Sequence, residues 1–505
     1  VDDVASSVAP VSTTARPCGS VGASDGSFAL SVPEQSSGKS AARIDLHQSG
    51  VGFGGHVWWT HTRKEPRYGL DMTVKGTWSF SSTLNQWGRV MVHIPDYAAH
   101  TREAPYVINN GAGVTKTRYA LQRTRRNGWV SLGVFKFAGK PSVSLSSKTP
   151  SGDGSDDIAW DAMAIQPLSA KPKNFVVALG DSYTSGEGAS ESRDGDNGAD
   201  YYKETDFGGD LSVKAGRNGC HRSRQAWSRK AHLADSTSSI GSRADAWDPA
   251  LDFQFHACSG ATTNNINAEL TASGSAGTTP NALGQKPGGS YGEVSQIDKG
   301  YLDENTTLVL MSIGGNDARF SDIVKKCIMS LSDVCQDLAL SGETEPAKVT
   351  VPRSINGPVK AALTQTLQQV AARAPNAKIL LVGYPVLLSR GGQCVPGIGT
   401  AEAPWMNEVT GSVMLPMMRG VATSLAASGL KIAFADPRSD FDDRGVCGDP
   451  EHIRGIVNQR TSGTESDVPN LTGLDPTSNQ SFHPNVGGTT DYAAAVDRAL
   501  RGQGW

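Results

Sequence analysis

The 505-residue chain is 38% hydrophobic and 19% charged, enough apolar content to bury a core and to exclude disorder along its whole length. Lys and Arg number 47 against 50 Asp and Glu, a formal charge of −3, which excludes the strongly basic footprint of a nucleic-acid binder and gives no basic tail for a membrane surface. No stretch reaches the ~18 consecutive apolar residues of a spanning helix, so no transmembrane segment is expected.

The chain opens on VDDVASSVAP, with no Met, basic region or apolar core of a leader, and reads as a processed terminus or one trimmed to match it. Residues 1–39, rich in Ser, Ala, Val and Gly, read as an N-terminal extension, either loose at the terminus or part of the sandwich that follows. Residues 40–172 change to short alternating runs: HVWWTHT, GRVMVHIP, YVINN, WVSLGVFKF, SVSLSS and DIAWDAMAI. Val90, Val92 and Ile94 alternate with Arg89, Met91 and His93, the period of a half-buried strand. Turn clusters such as NNGAG and RRNGW separate these runs, so an all-β antiparallel sandwich is expected, without a long helix. The basic run from Arg118 to Arg126 reads as a solvated strand face, or, more sharply, as an anionic attachment surface.

Past the linker SAKPKN the texture changes again, and residues 173–505 read as one α/β domain. The runs NFVVALGD, LDFQFHAC, TLVLMSIGGND, AKILLVGYP and LKIAFADP are apolar and end in Gly, Asp, Asn, Cys or Pro. Helical stretches such as PVKAALTQTLQQVAARAP and MNEVTGSVMLPMMRGVATSLAASG lie between several of them, which predicts a parallel sheet covered on both faces. Two long polar insertions, over 191–210 and 271–292, interrupt the rhythm and read as rims or flaps of a site. The carboxylates of the first do not have the spacing of a calcium loop, and no metal is expected. Charge divides unequally: residues 1–172 carry +5 and the remainder −8.

Six of the seven cysteines, Cys220, Cys258, Cys327, Cys335, Cys394 and Cys447, lie in the α/β part and none forms a CxxC pair. Six cysteines allow fifteen connectivities; pairing nearest neighbours would give Cys220–Cys258, Cys327–Cys335 and Cys394–Cys447. Their Gly-, Asn- and Asp-rich surroundings favour disulfides over buried thiols, hence an oxidising compartment. Cys18 is left without an assigned partner.

Four strand-end segments carry candidate chemistry. In ALGDSYTSGEG, over 178–188, a strand runs into Ser182, which is either a nucleophile at the carboxyl end of a parallel strand or an ordinary helix cap. It is not a GxSxG elbow, because Thr184 stands where the second glycine would be. SIGGNDARF offers the neutral amide of Asn316 to an oxyanion, or simply makes a turn. In HACSGATTNNI, Gly260 presents a bare backbone N–H; near the C-terminus His483 precedes Pro484 and a closing helix.

Taken in this order, GDSYTSGEG, CSGA, GGND and FHPNVGG make residues 174–505 resemble the SGNH (GDSL) hydrolase family. NGCHRSRQAW, VGYP and GVCG make the match closer to its secreted bacterial lipase and phospholipase branch, whose three-disulfide framework would fit the six cysteines. The resemblance implies a three-layer, flavodoxin-like α/β fold, a carboxylic ester substrate, no cofactor, secretion and a monomer. It implies Ser182 as nucleophile and His483 as general base. The N–H groups of Ser182 and Gly260 and the Asn316 amide would form the oxyanion hole. The family's usual Asp three residues before the His is here Gln480. The imidazole would instead be oriented by a backbone carbonyl, of Gln480 or Ser481, with Asp475 as the rival carboxylate, giving a Ser–His dyad with the third member open. Asp181 and Asp317 would bond structurally at the strand ends; His221, Arg222 and Ser223 would line the site or serve the scaffold.

The first domain, through GTWSF, RVMVHIP, APYVI, WVSLGVFKF and DIAWDAMAI, resembles the golvesin C-terminal-like, carbohydrate-binding-module-like sandwich. That resemblance implies attachment to a glycan or cell surface, with Trp58, Trp59, Trp78, Trp87 and Trp129 either stacking on sugars or filling the core. A carbohydrate esterase acting on a polymer held by the sandwich, or a binding protein retaining the hydrolase scaffold, are the alternatives.

Overall fold

The computed structural model describes residues 1–3, 25–34, 38, 40–122, 127–190, 200–206, 218–267, 291–330, 334–389, 394–457 and 478–505. Cys18, Asp475, nearly all of the second insertion and most of the first lie outside the described residues. Two compact units result. One is Val1–Lys173 with Gly292–Val294 and Asp298–Tyr301; the other is Asn174–Tyr291, Ser295–Ile297 and Leu302–Trp505.

The strands of the first unit pair antiparallel. Its strands are β1 (Gly26–Ser31), β2 (His47–Ser49), β3 (Val57–Arg63), β4 (Lys75–Phe80), β5 (Trp87–Ile94), β6 (Ala104–Asn109), β7 (Thr115–Ala120), β8 (Gly128–Lys136), β9 (Ser142–Ser146), β10 (Asp153–Trp160) and β11 (Met163–Leu168). They form a five-stranded sheet, β1-β4-β9-β6-β7, and two three-stranded sheets, β10-β3-β2 and β11-β5-β8. One apolar core joins all three, with Trp78, Tyr106 and Leu145 from the first meeting Val90, Leu132 and Trp160 from the others. Trp78 and Trp160 are fully buried, and each indole N–H reaches a carbonyl, of Asp161 and Leu145, so neither is a sugar platform. Trp58 and Trp59 are packed only partly against that core.

Arg118 is not on a solvated face. It is buried in β7, donates to the carbonyl of Gly300 and lies over the rings of Phe135 and Tyr301. The reason is that β7 is an edge strand whose backbone needs partners: Tyr119 donates its N–H to Lys299 O at 3.0 Å, which is how residues 298–301 join this unit although they lie far along the chain.

The second unit contains β12 (Asn174–Gly180), β13 (Leu251–Phe255), β14 (Leu308–Ser312), β15 (Lys378–Val382) and β16 (Ile432–Ala435). All are parallel, in the order β13-β12-β14-β15-β16, the doubly wound arrangement with its switch point between β12 and β14. Val176, Val177, Ala178 and Leu179 are all buried, as expected of a strand covered on both faces. The two helical stretches are not continuous α-helices. Ala347–Ser354 and Lys360–Arg373 are joined by a π-turn at Ile355–Val359, and Glu402–Glu408 and Leu415–Ala427 by another at Val409–Met414. Pro358 and Pro416 explain them: a proline lacks the N–H for the i−4 bond and its ring crowds that carbonyl, and widening the turn relieves both. No helix among the described residues is long and apolar enough to cross a membrane.

Three disulfides, Cys220–Cys258, Cys327–Cys335 and Cys394–Cys447, pair nearest neighbours in sequence. The first fixes the segment carrying Gly260: Ser259 N–H donates to Cys220 O, and Cys258 N–H to Gly180 O, each at 3.0 Å. Replacing Cys220 and Cys258 together by serine is expected to lower stability by about 3–4 kcal/mol, the chain-entropy value for a loop of this size. A urea midpoint equal to that of the wild type would show that the bond constrains nothing.

Candidate active site

The site is built at the carboxyl ends of β12, β13 and β14, beside the switch point where ligands of such sheets bind. β12 ends in Gly180, and the chain turns at once into the one-turn helix Ser182–Ser185. Asp181 caps it, its carboxylate accepting from Tyr183 N at 3.0 Å. Ser182 therefore stands at the first helical position, and its N–H, like that of Gly260, donates to no other protein group among the described residues. Gly260 has φ +73°, a left-handed conformation that glycine adopts at no Cβ cost. Asn316 follows β14; its amide donates to Ala261 O at 2.9 Å, which uses one of two N–H bonds.

His483 comes from the loop before the closing helix Val486–Gly502. Its Nδ1 lies 3.0 Å from Ser481 O, while its own backbone N–H donates to Gln480 O at 3.2 Å. Of the two carbonyls read from sequence, Ser481's faces the ring and Gln480's braces the backbone. Tyr183 ties the loop to the Ser182 turn: its hydroxyl donates to Phe482 O at 2.9 Å and its ring packs 5.1 Å from that of His483.

Ser182, Gly260, Asn316 and His483 line one cavity of about 500 Å³. No Ser182–His483 hydrogen bond is formed among the described residues, and such bonds commonly tighten only once substrate is bound. The rest of the lining is largely apolar, including Ile323, Val324, Ile328 and Leu387, and both π-turns contribute, through Ile355, Val409 and Met414.

Two buried carboxyls hold this frame. Burial pushes Asp181 up to about 7, against the Tyr384 hydroxyl, which donates to it at 2.5 Å. Tyr384 in turn accepts from Gly315 N–H at 2.9 Å, linking the Ser182 and Asn316 turns. Burial likewise raises Asp317, which accepts from the hydroxyl and N–H of Thr263. His221, Arg222 and Ser223 do not line the cavity. Arg222 donates to Ala257 O at 2.7 Å, Ser223 to Ala189 O at 2.6 Å, and His221 bonds Glu187, a carboxylate whose proximity to His483 no local sequence pattern signals. Burial lowers the His483 imidazole below its ordinary value, opposed by Glu187. In the sandwich unit the ligand atoms of Asp45, His47 and His61, and those of Asp2, Asp3 and Asp161, lie within 4.8 Å of one another.

No protein-family model matches the chain. Lipase 1 of Streptomyces coelicolor is 27% identical over 298 residues, covering 59% of this chain and 81% of that protein. A lipase of Streptomyces rimosus is 24% identical over 282 residues, covering 56% and 76%. The crystal structure of phospholipase A1 from Streptomyces albidoflavus aligns at 21% identity with a TM-score of 0.39, covering 65% of this chain and 99% of that one.

Proposed function

We propose that the chain is a secreted serine ester hydrolase of the SGNH type that cleaves acyl esters through an acyl-serine intermediate. The observation that carries this reading is the convergence of Ser182, Gly260, Asn316 and His483 on one largely apolar cavity; the lipase relatives support the ester chemistry.

In this reading Ser182 Oγ attacks the ester carbonyl while His483 Nε2 takes its proton. The tetrahedral oxyanion is held by the N–H groups of Ser182 and Gly260 and by the Asn316 amide. His483 returns the proton to the leaving alkoxide. Water then attacks the acyl-serine with His483 again as base. The Ser481 carbonyl keeps the proton on Nδ1 and leaves Nε2 as the acceptor, so the constellation is a Ser–His dyad. The apolar walls take the acyl chain, which favours lipid-like substrates over acetylated glycans.

The sandwich unit serves as a monomeric enzyme's accessory module, of golvesin C-terminal-like type, attaching it to a glycan or cell surface. Supporting this, Trp59 is only partly packed on the core, stacks on His47 at 4.2 Å and stands edge-on to Tyr97, which is 50% exposed.

The test is a panel from p-nitrophenyl butyrate to palmitate, phosphatidylcholine and acetylated xylan. Acyl esters should be turned over far faster than the xylan; the reverse order would point to a carbohydrate esterase. Val409→Asp, which places a charge in the apolar wall, should lower kcat/KM for octanoate roughly tenfold more than for butyrate, the worth of about two of the four extra methylenes lying along Val409 at ~0.8 kcal/mol each. Equal losses would show that the chain does not lie along Val409.

A further inference from the structure

A carbonyl at Nδ1 orients the catalytic imidazole but brings no net charge. When His483 takes the serine proton, an imidazolium forms in a site from which the acyl chain excludes water, and such a charge is costly unless a countercharge is near. Among the described residues no carboxylate bonds His483 Nδ1.

We propose that Glu187 supplies that countercharge, as a positioning residue acting through space on His483 while Ser481 orients the ring; the proposal rests on the hydrolase reading above. Glu187 follows the Ser182 turn directly, its N–H donating to Ser182 O at 3.0 Å, and it is 1% exposed. The next residue, Gly188 (φ +86°), lies so close to the His483 loop that a Cβ there would stand 2.8 Å from His483 Cβ. Arg454 clamps the two segments: its guanidinium donates to Gly188 O at 2.8 Å and Ser190 O at 2.6 Å, and its N–H to His483 O at 2.9 Å. The Glu187 carboxyl bonds His221 Nδ1 through Oε2, and Ser259, the neighbour of Gly260, also favours its ionised form, while Oε1 is buried without a hydrogen-bond partner among the described residues.

The charged and titratable groups around it are His221, Asp206, Tyr201 and Arg454. Asp206 lies 3.5 Å from His221 Nε2, so one imidazole stands between two carboxylates, surroundings that favour both of its ring protons. Burial alone would raise the Glu187 carboxyl, but His221 more than offsets that, so it stays ionised; in turn Glu187 raises the His483 imidazole and His221 lowers it.

These linked charges give the test. Glu187→Gln keeps the shape and an acceptor for His221. It should lower kcat for p-nitrophenyl butyrate by about tenfold, the equivalent of one pKa unit, with KM within about twofold, and move the acid limb of kcat/KM to lower pH. His221→Gln removes the charge that keeps Glu187 ionised, so burial pushes that carboxyl toward its neutral form and the limb should also move to lower pH, by less than in Glu187→Gln. Circular dichroism and melting temperature report whether each variant folds. A folded Glu187→Gln whose limb stays in place overturns the proposal, whether or not kcat falls, since a structural role would not move it. Should that variant fail to fold, a limb in His221→Gln that stays or moves up overturns it. A wild type that hydrolyses no ester overturns the hydrolase reading itself, and this proposal with it.

Discussion

Ser182→Ala is expected to cut kcat/KM for p-nitrophenyl butyrate by ~10⁴ or more while leaving the fold intact. The nucleophile and its base work as a unit, so removing either abolishes the covalent route, and what remains is the catalysis of donors and binding alone. His483→Ala should therefore be as damaging, and the double variant hardly worse than either. Stability should change little, because among the described residues the Ser182 hydroxyl bonds no other protein group. The acyl pocket is also untouched, so binding of a non-hydrolysable ester analogue should persist within about twofold. Equal rates for wild type and Ser182→Ala would remove Ser182 from the chemistry and with it the serine-hydrolase reading.

Ser182, Gly260 and Asn316 were readable because each follows an apolar strand run within a few residues, and parallel sheets collect ligands at those ends. The unbroken apolar run of β12 announced a strand covered on both faces, but the alternation along β5 misled: its polar face is not solvated, since Arg89 and His93 are buried there against Gln166 and Asp161. What stayed hidden depends on partners distant in sequence. Glu187 reads as a polar residue between two glycines; only the fold brings it to His221, 34 residues on, and to the His483 loop. Arg118 reads as a surface cation until Gly300 and Tyr301 arrive from 182 and 183 residues away. The helical periodicity around Pro358 and Pro416 gave the helices but not their π-turns, since a local backbone adjustment leaves the apolar pattern almost unchanged. Those turns place Ile355 and Val409 in the cavity wall, so the feature that shapes the pocket was the least visible.

Asn316→Ala should lower kcat by ~10²–10³ with little change in KM, the usual cost of one oxyanion donor. The donor matters in the transition state, where the ester oxygen becomes an anion, more than in the ground state, where it is a weak acceptor. Here the loss has a second part. The Asn316 amide also donates to Ala261 O, the carbonyl just after Gly260, so truncation removes one donor and loosens the segment presenting another. Asn316→Asp separates these contributions from simple loss of volume. Its size matches asparagine, but it sets a carboxylate against the oxyanion, and at neutral pH it should be worse than alanine. Because the penalty follows ionisation, the Asp variant should recover relative to alanine as pH falls through the range where its carboxyl protonates. An alanine variant that keeps kcat within threefold would show that the amide braces the Gly260 turn without touching the reacting oxygen.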